Sequence, residues 1–201
     1  MSPERSENKV QNRIDFEELT RFTKEVVLKD GGHIPMVIVE GSRQTIVGYI
    51  PPVLETHEER MQFMNTAGSY LANNREIGIL QQVFFIGEGW VSLGRDGKPP
   101  KVSPSQDPNR KEVLIISSVE IENDRKNLKL FEMIRNQNGE LVELQELQPD
   151  EGDRDIVEIP LLDAFIEGFE LEVFKKLNRL LGIEINPSNY PYWKSKSNKL
   201  L

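Results

Sequence analysis

The sequence predicts an α+β fold: a mostly antiparallel sheet of five to six strands with helices packed on one face, in the order αββαβββ(β)α. Three observations predict it. Apolar residues recur at helical spacing in three separate segments. The β-branched runs between the first two and the last are joined by short turn sequences, which makes neighbouring strands antiparallel hairpins. One run, VFFI at 83–86, is apolar without alternation, as a strand buried on both faces is.

The first helix is placed at 15–29. Asp15 and Glu18 form a capping-box pattern, Ile14 and Leu19 stand where a hydrophobic staple closes, and Phe16, Leu19, Phe22, Val26 and Val27 form its apolar stripe. Gly31 and Gly32 end it, because glycine takes the left-handed cap without a Cβ clash. HIPMVIVE and QTIVGYI, separated by Glu40-Gly41-Ser42-Arg43, read as a hairpin with strands 34–40 and 44–50. Pro35 has no N–H for a ladder and belongs at the strand start or on an edge. Thr56 and Glu59 open a second helix, 57–73, with Met61, Met64, Ala67 or Gly68, and Leu71 facing inward. The stretch 77–91 carries the central strand. A strand at 111–121 follows the loop, then a turn at 123–126 and a strand at 128–135. Asn138-Gly139 tolerates positive φ and turns the chain into a strand at 140–146. A long helix, 161–181, carries the stripe Leu162, Phe165, Ile166, Phe169, Val173, Leu177 and Leu180.

Around this single domain, 14–185, lie segments without apolar periodicity. Residues 1–13 read as a disordered arm. The loop 93–110 holds four prolines and two glycines, and a loop of that length inside a domain is functional or mobile. QPDEGDRD at 148–155 is an acidic linker. The tail 186–201 combines Tyr190, Tyr192 and Trp193 with lysines.

Composition limits the function. The 201 residues include 25 Lys plus Arg and 33 Asp plus Glu, a formal charge of −8. That balance disfavours nucleic acid and anionic membrane as partners. There is no cysteine, so disulfides, thiolate metal sites and cysteine nucleophiles are excluded. No apolar run reaches the length of a membrane span, and MSPERSENKV lacks the apolar core of a secretory signal, so the expected compartment is the cytoplasm.

Catalytic motifs are sparse. Asp30 and His33, with a distant carboxylate such as Glu88, would begin a metal site, but two histidines without cysteine are too few for zinc, and Asp-Gly-Gly-His also reads as a helix-to-strand turn. His57 among Glu55, Glu58 and Glu59 resembles a base oriented by a carboxylate, yet helix capping explains the same spacing. No serine has the sequence context of a nucleophile, and Gly87-Glu88-Gly89 lacks the third glycine of a dinucleotide fingerprint. No cofactor and no catalytic residue is therefore expected. Glu88 and Trp90 are the ligand-binding candidates. They stand where the central strand meets the long loop, and Gly87 and Gly89 leave room for close approach.

Two resemblances add to this. VFFIGEGWVS followed by a Pro-rich loop and DPNRKEVLII resembles a family of uncharacterised bacterial and phage proteins, over about 30 residues. It implies no activity and carries no functional residue. The order of elements is similar to that of the roadblock and longin proteins, which are often dimeric or scaffold-bound; the resemblance is of element order only and carries no motif. The expectation is a non-enzymatic protein–protein interaction module, a homodimer or a binder of another protein, offering a sheet edge, the 93–110 loop or the last helix through Phe165, Phe169 and Val173. The alternative is a small hydrolase or ligand-binding protein with a pocket at the 87–110 strand–loop junction.

Overall fold

The run of apolar residues at 83–86 forms the middle of β3 (Leu80–Val91), with Val83 and Phe84 both fully buried. Consecutive strand residues point to opposite faces, so burial of both requires cover on both sides and pairing on both edges. β1 (Met36–Gly41) lies on one edge of β3 and β4 (Lys111–Glu120) on the other. β2 (Thr45–Tyr49) extends the sheet beyond β1, and β5 (Arg125–Arg135) and β6 (Leu141–Glu146) extend it beyond β4. The order is β2-β1-β3-β4-β5-β6 and every pairing is antiparallel. With the three helices of the described residues, the fold is α+β in the order αββαββββα. The structure is a computed structural model that describes residues 13–54, 56–92, 106–147 and 159–182. The linker 148–155, the tail 186–201, most of the arm 1–13 and residues 93–105 of the long loop lie outside the described residues.

The described chain divides into two compact units, one holding the sheet and the first helix, the other the second and third helices. In the sheet unit, α1 (Phe16–Asp30) begins at Asp15, whose carboxylate accepts from the Glu18 amide at 2.8 Å, and ends at Gly31 in the left-handed conformation. Val27 of α1 joins Ile38, Phe84, Ile86, Leu114, Ile116, Phe131, Met133 and Leu144 in one core on the α1 face of the sheet. The predicted stripe needs one correction. Phe22 is 63 % exposed, and Thr20 and Thr23 occupy the buried positions instead. The Thr20 hydroxyl donates to the Phe16 carbonyl at 2.7 Å, which removes the cost of burying it. Pro35 stands just before β1 and its carbonyl accepts from Ile50 N. β5 starts earlier than the turn pattern implies, because Asp124 takes positive φ and Asn123 closes the turn onto the Arg125 amide. The Asn138-Gly139 turn is present, with Gly139 at φ 82° and Asn136 Oδ1 accepting from Asn138 N and Glu140 N.

The helical unit contains α2 (His57–Ala72) and α3 (Pro160–Leu181). Thr56 and Glu59 make the reciprocal capping box in which each side chain accepts the other's amide. The two helices meet through glycine. A Cβ on Gly68 would lie 2.0 Å from the Phe165 carbonyl oxygen, and one on Gly168 would lie 1.9 Å from that of Asn65. Asn65 Nδ2 donates to the Ala164 carbonyl at 3.3 Å, Ser69 Oγ to the Gly168 carbonyl at 3.0 Å, and Lys176 Nζ to the Ala72 carbonyl at 2.6 Å. Backbone thus approaches backbone, and side-chain donors satisfy carbonyls along the seam. Among the described residues no helix is long and apolar enough to cross a membrane.

Alanine inside a helix is ordinarily preferred to glycine by about 1 kcal/mol. The contact at Asn65 reverses that sign. Gly168→Ala is expected to destabilise by about 1–3 kcal/mol, as overpacking does. Its urea midpoint falls below that of the wild type; an equal or higher midpoint contradicts the close crossing.

Candidate functional site

Two places on the sheet unit concentrate features that its core does not require. The first is the end of the sheet where α1 stops. Register places Glu88 opposite Leu114, and Trp90 opposite Glu112. Glu88 and Glu112 therefore lie on the same face as Phe84, Ile86, Leu114 and Ile116, just past the apolar core. The Gly31-Gly32 turn brings the chain down onto them. Glu88 accepts the His33 backbone amide, and a Cβ on Gly32 would sit 3.1 Å from Glu88 Oε1. Arg135, at the end of β5, binds Glu112 in bidentate fashion, Nε to Oε2 at 2.9 Å and Nη2 to Oε1 at 2.8 Å. Its Nη1 reaches the carbonyls of Gly31 at 3.1 Å and Gly139 at 3.3 Å. One guanidinium thus ties together the helix end, β4 and the β5–β6 turn. The Glu112 hydrogen bonds, with the Glu112 and Glu88 charges, raise the Arg135 pKa against a smaller opposing effect of burial.

The chemistry available here is that of a clamp. The carboxylates are engaged by an amide and a guanidinium. Among the described residues no group of three or more His, Asp or Glu is placed to hold a metal ion. Glu88 meets His33 through the backbone amide, while His33 Nδ1 is buried without a hydrogen-bond partner. The space expected at the two glycines is filled from within: a Cβ on Gly87 would meet the Phe85 ring at 2.7 Å, and one on Gly89 the Ile115 Cδ1 at 3.2 Å. Trp90 is 50 % exposed, with the Arg110 guanidinium 4.4 Å from its ring centroid. His57 is an exposed residue of the first turn of α2. Phe165 and Phe169 are 1 % and 7 % exposed and belong to the buried core, and Val173 is half-buried. The open apolar residues of α3 are Leu177, Leu180 and Leu181.

The second place is the outer edge of β2. Gly41 N donates to the Gln44 carbonyl at 3.0 Å, and Ile50 N to the Pro35 carbonyl at 2.8 Å. In the antiparallel register between them, the hydrogen-bonded positions are Gln44, Ile46, Gly48 and Ile50. Thr45, Val47 and Tyr49 therefore direct their N–H and C=O groups away from β1. No strand of the described residues pairs with them. Val47 stands opposite Ile38, so the three side chains lie on the α1 face, and Val47 and Tyr49 are 51 % and 62 % exposed. The strand TIVGY has neither charge nor proline, the usual guards of a free edge. β6, the opposite edge, carries Glu143 and Glu146 and pairs through an irregular register at Ile134/Arg135.

No protein-family model, curated protein or solved structure matches this chain. Both places thus rest on the geometry alone. Sequence reading reached Glu88 and Trp90 but missed Glu112 and Arg135, because only cross-strand register brings those two onto one face. It named a sheet edge without identifying which edge is unguarded; the lack of charge in TIVGY was the available signal.

Burial lowers the His33 pKa below 6.5, and the Glu88 charge opposes the shift only in part. The unfolded chain therefore takes up a proton as pH falls through about 6.5 that the folded chain does not. The stability from the neutral ring is complete above that pH and declines below it, until the folded ring itself protonates. His33→Gln is expected to flatten the fall in urea midpoint between about pH 7 and pH 5. Parallel curves for the two proteins would show that the ring does not contribute.

Proposed function

We propose that this chain is a non-enzymatic, cytoplasmic protein–protein interaction module that binds by strand addition at the outer edge of β2. The open, uncharged edge at Thr45, Val47 and Tyr49 carries the reading. Main-chain groups along such an edge supply affinity, and the exposed side chains between them supply selectivity. The saturation of Glu88, Glu112 and Arg135 by one another and by backbone groups supports a structural role for the sheet end. The Trp90–Arg110 stack supports a second reading, ligand binding at the 87–110 strand–loop junction, with Trp90 as platform.

A synthetic peptide of residues 43–51 is a direct probe of the edge. It is expected to bind dilute wild-type protein, read by fluorescence anisotropy. Val47→Pro deletes an outward N–H and no bond to β1, so this variant should keep the wild-type melting temperature and lose the peptide. Equal binding by both proteins, or by neither, refutes strand addition at β2.

A further inference from the structure

We infer that the strand received by β2 is β2 of a second copy, paired antiparallel about a two-fold axis through Val47. The inference rests on the strand-addition reading and names its partner.

The parity of the strand carries it. An isologous antiparallel pair needs a residue on the axis, with outward-facing groups placed symmetrically on either side. Thr45, Val47 and Tyr49 meet that condition. Centring the pair on Val47 sets Val47 against Val47 of the other copy, and Thr45 against Tyr49 in both directions. All three are then hydrogen-bonded positions, each exchanging two N–H···O bonds. Centring on Ile46 or Gly48 instead would make that residue a non-hydrogen-bonded pair and engage only two of the three outward residues of β2, four bonds in place of about six.

Side chains and charge agree with the same register. Directly opposed residues in an antiparallel pair project from one face. The two-fold therefore puts the α1 faces of both copies on the same side of a continuous sheet. It apposes Val47 with Val47 and Tyr49 with Thr45, all exposed in the single chain. In self-pairing, any charge near the axis confronts its own copy. The net charge is −8 and the chain is 29 % charged, yet β2 has no charged residue. β6 paired with itself would bring Glu143 and Glu146 towards their own copies, which like-charge repulsion opposes. Electrostatics thus permits β2 against β2 and disfavours the other edge.

The absence of cysteine makes the register testable in the full chain. Opposed Cα atoms at a hydrogen-bonded position are about 5.5 Å apart, within disulfide reach. Val47→Cys should form a covalent dimer under mild oxidation. Thr45→Cys alone should not, because its own copy is roughly 14 Å away along the strands. A mixture of Thr45→Cys and Tyr49→Cys chains should cross-link only between the two types, which tests the register even if Val47→Cys folds poorly. Sedimentation should show a wild-type dimer, with association weakened about ten-fold or more by Val47→Lys, which places like charges across the axis. A chain that stays monomeric while still binding the 43–51 peptide overturns the second copy and leaves strand addition standing. A dimer indifferent to Val47→Lys, with no cross-link through Val47→Cys, overturns the inference by placing association on another surface. Loss of both dimer and peptide binding overturns the inference together with the reading beneath it.

Discussion

Backbone pairing across six antiparallel strands, in a register that shifts at Glu40/Gly41 and Ile134/Arg135, is the constraint on which the rest of the sheet unit depends. Because side chains alternate with a period of two, a slip of one residue would turn every apolar row to the wrong face. The one-sided strand β5 shows the constraint most plainly, since a slip of one residue would bring Glu132 onto the face that buries Phe131 and Met133. The same parity decides two features away from the core. It puts Glu88 and Glu112 on the α1 face at the end of the sheet, where the helix stops and Arg135 closes over them. It also commits alternate residues of β2 to β1 and leaves Thr45, Val47 and Tyr49 facing outward.

The helical unit is organised by a different principle. Its seam is set by closeness of backbones at Gly68 and Gly168, with side chains of Asn65, Ser69 and Lys176 satisfying carbonyls of the facing helix. Steric fit, more than width of apolar stripe, specifies which helix α2 accepts. The upper part of the α3 stripe, Leu162 to Phe169, is buried, whereas its last turns expose Leu177 and Leu180. Uniform amphipathicity along α3 therefore conceals two environments.

Local signals were readable in the sequence and long-range ones were not. Asp15 and the Thr56/Glu59 pair announce helix starts, Gly31, Gly182 and Asn138-Gly139 announce stops and turns, and VFFI announces a central strand, all through interactions within a few residues. Phe22 misled because helical spacing cannot rank the two borders of a stripe, and a threonine that bonds its own helix competes for the inner place. Glu88 drew notice from its glycine neighbours, whose space is in fact taken by Phe85 and Ile115. Arg135 and Glu112 are 23 positions apart in sequence and meet only through the β4–β5 register. The open edge required knowing that β2 is outermost, which hairpin signals alone do not determine.

With strand addition at β2 as proposed, a charged edge and an uncharged edge on one sheet set the direction of association. Hydrogen exchange resolved to single amides tests this most directly, measured at low and at high protein concentration. The account predicts slow exchange at Ile46 and Gly48 throughout, fast exchange at Thr45, Val47 and Tyr49 when dilute, and protection of those three as concentration rises. Protection of all five amides at the lowest concentration, or none gained by the outward three at the highest, would contradict it.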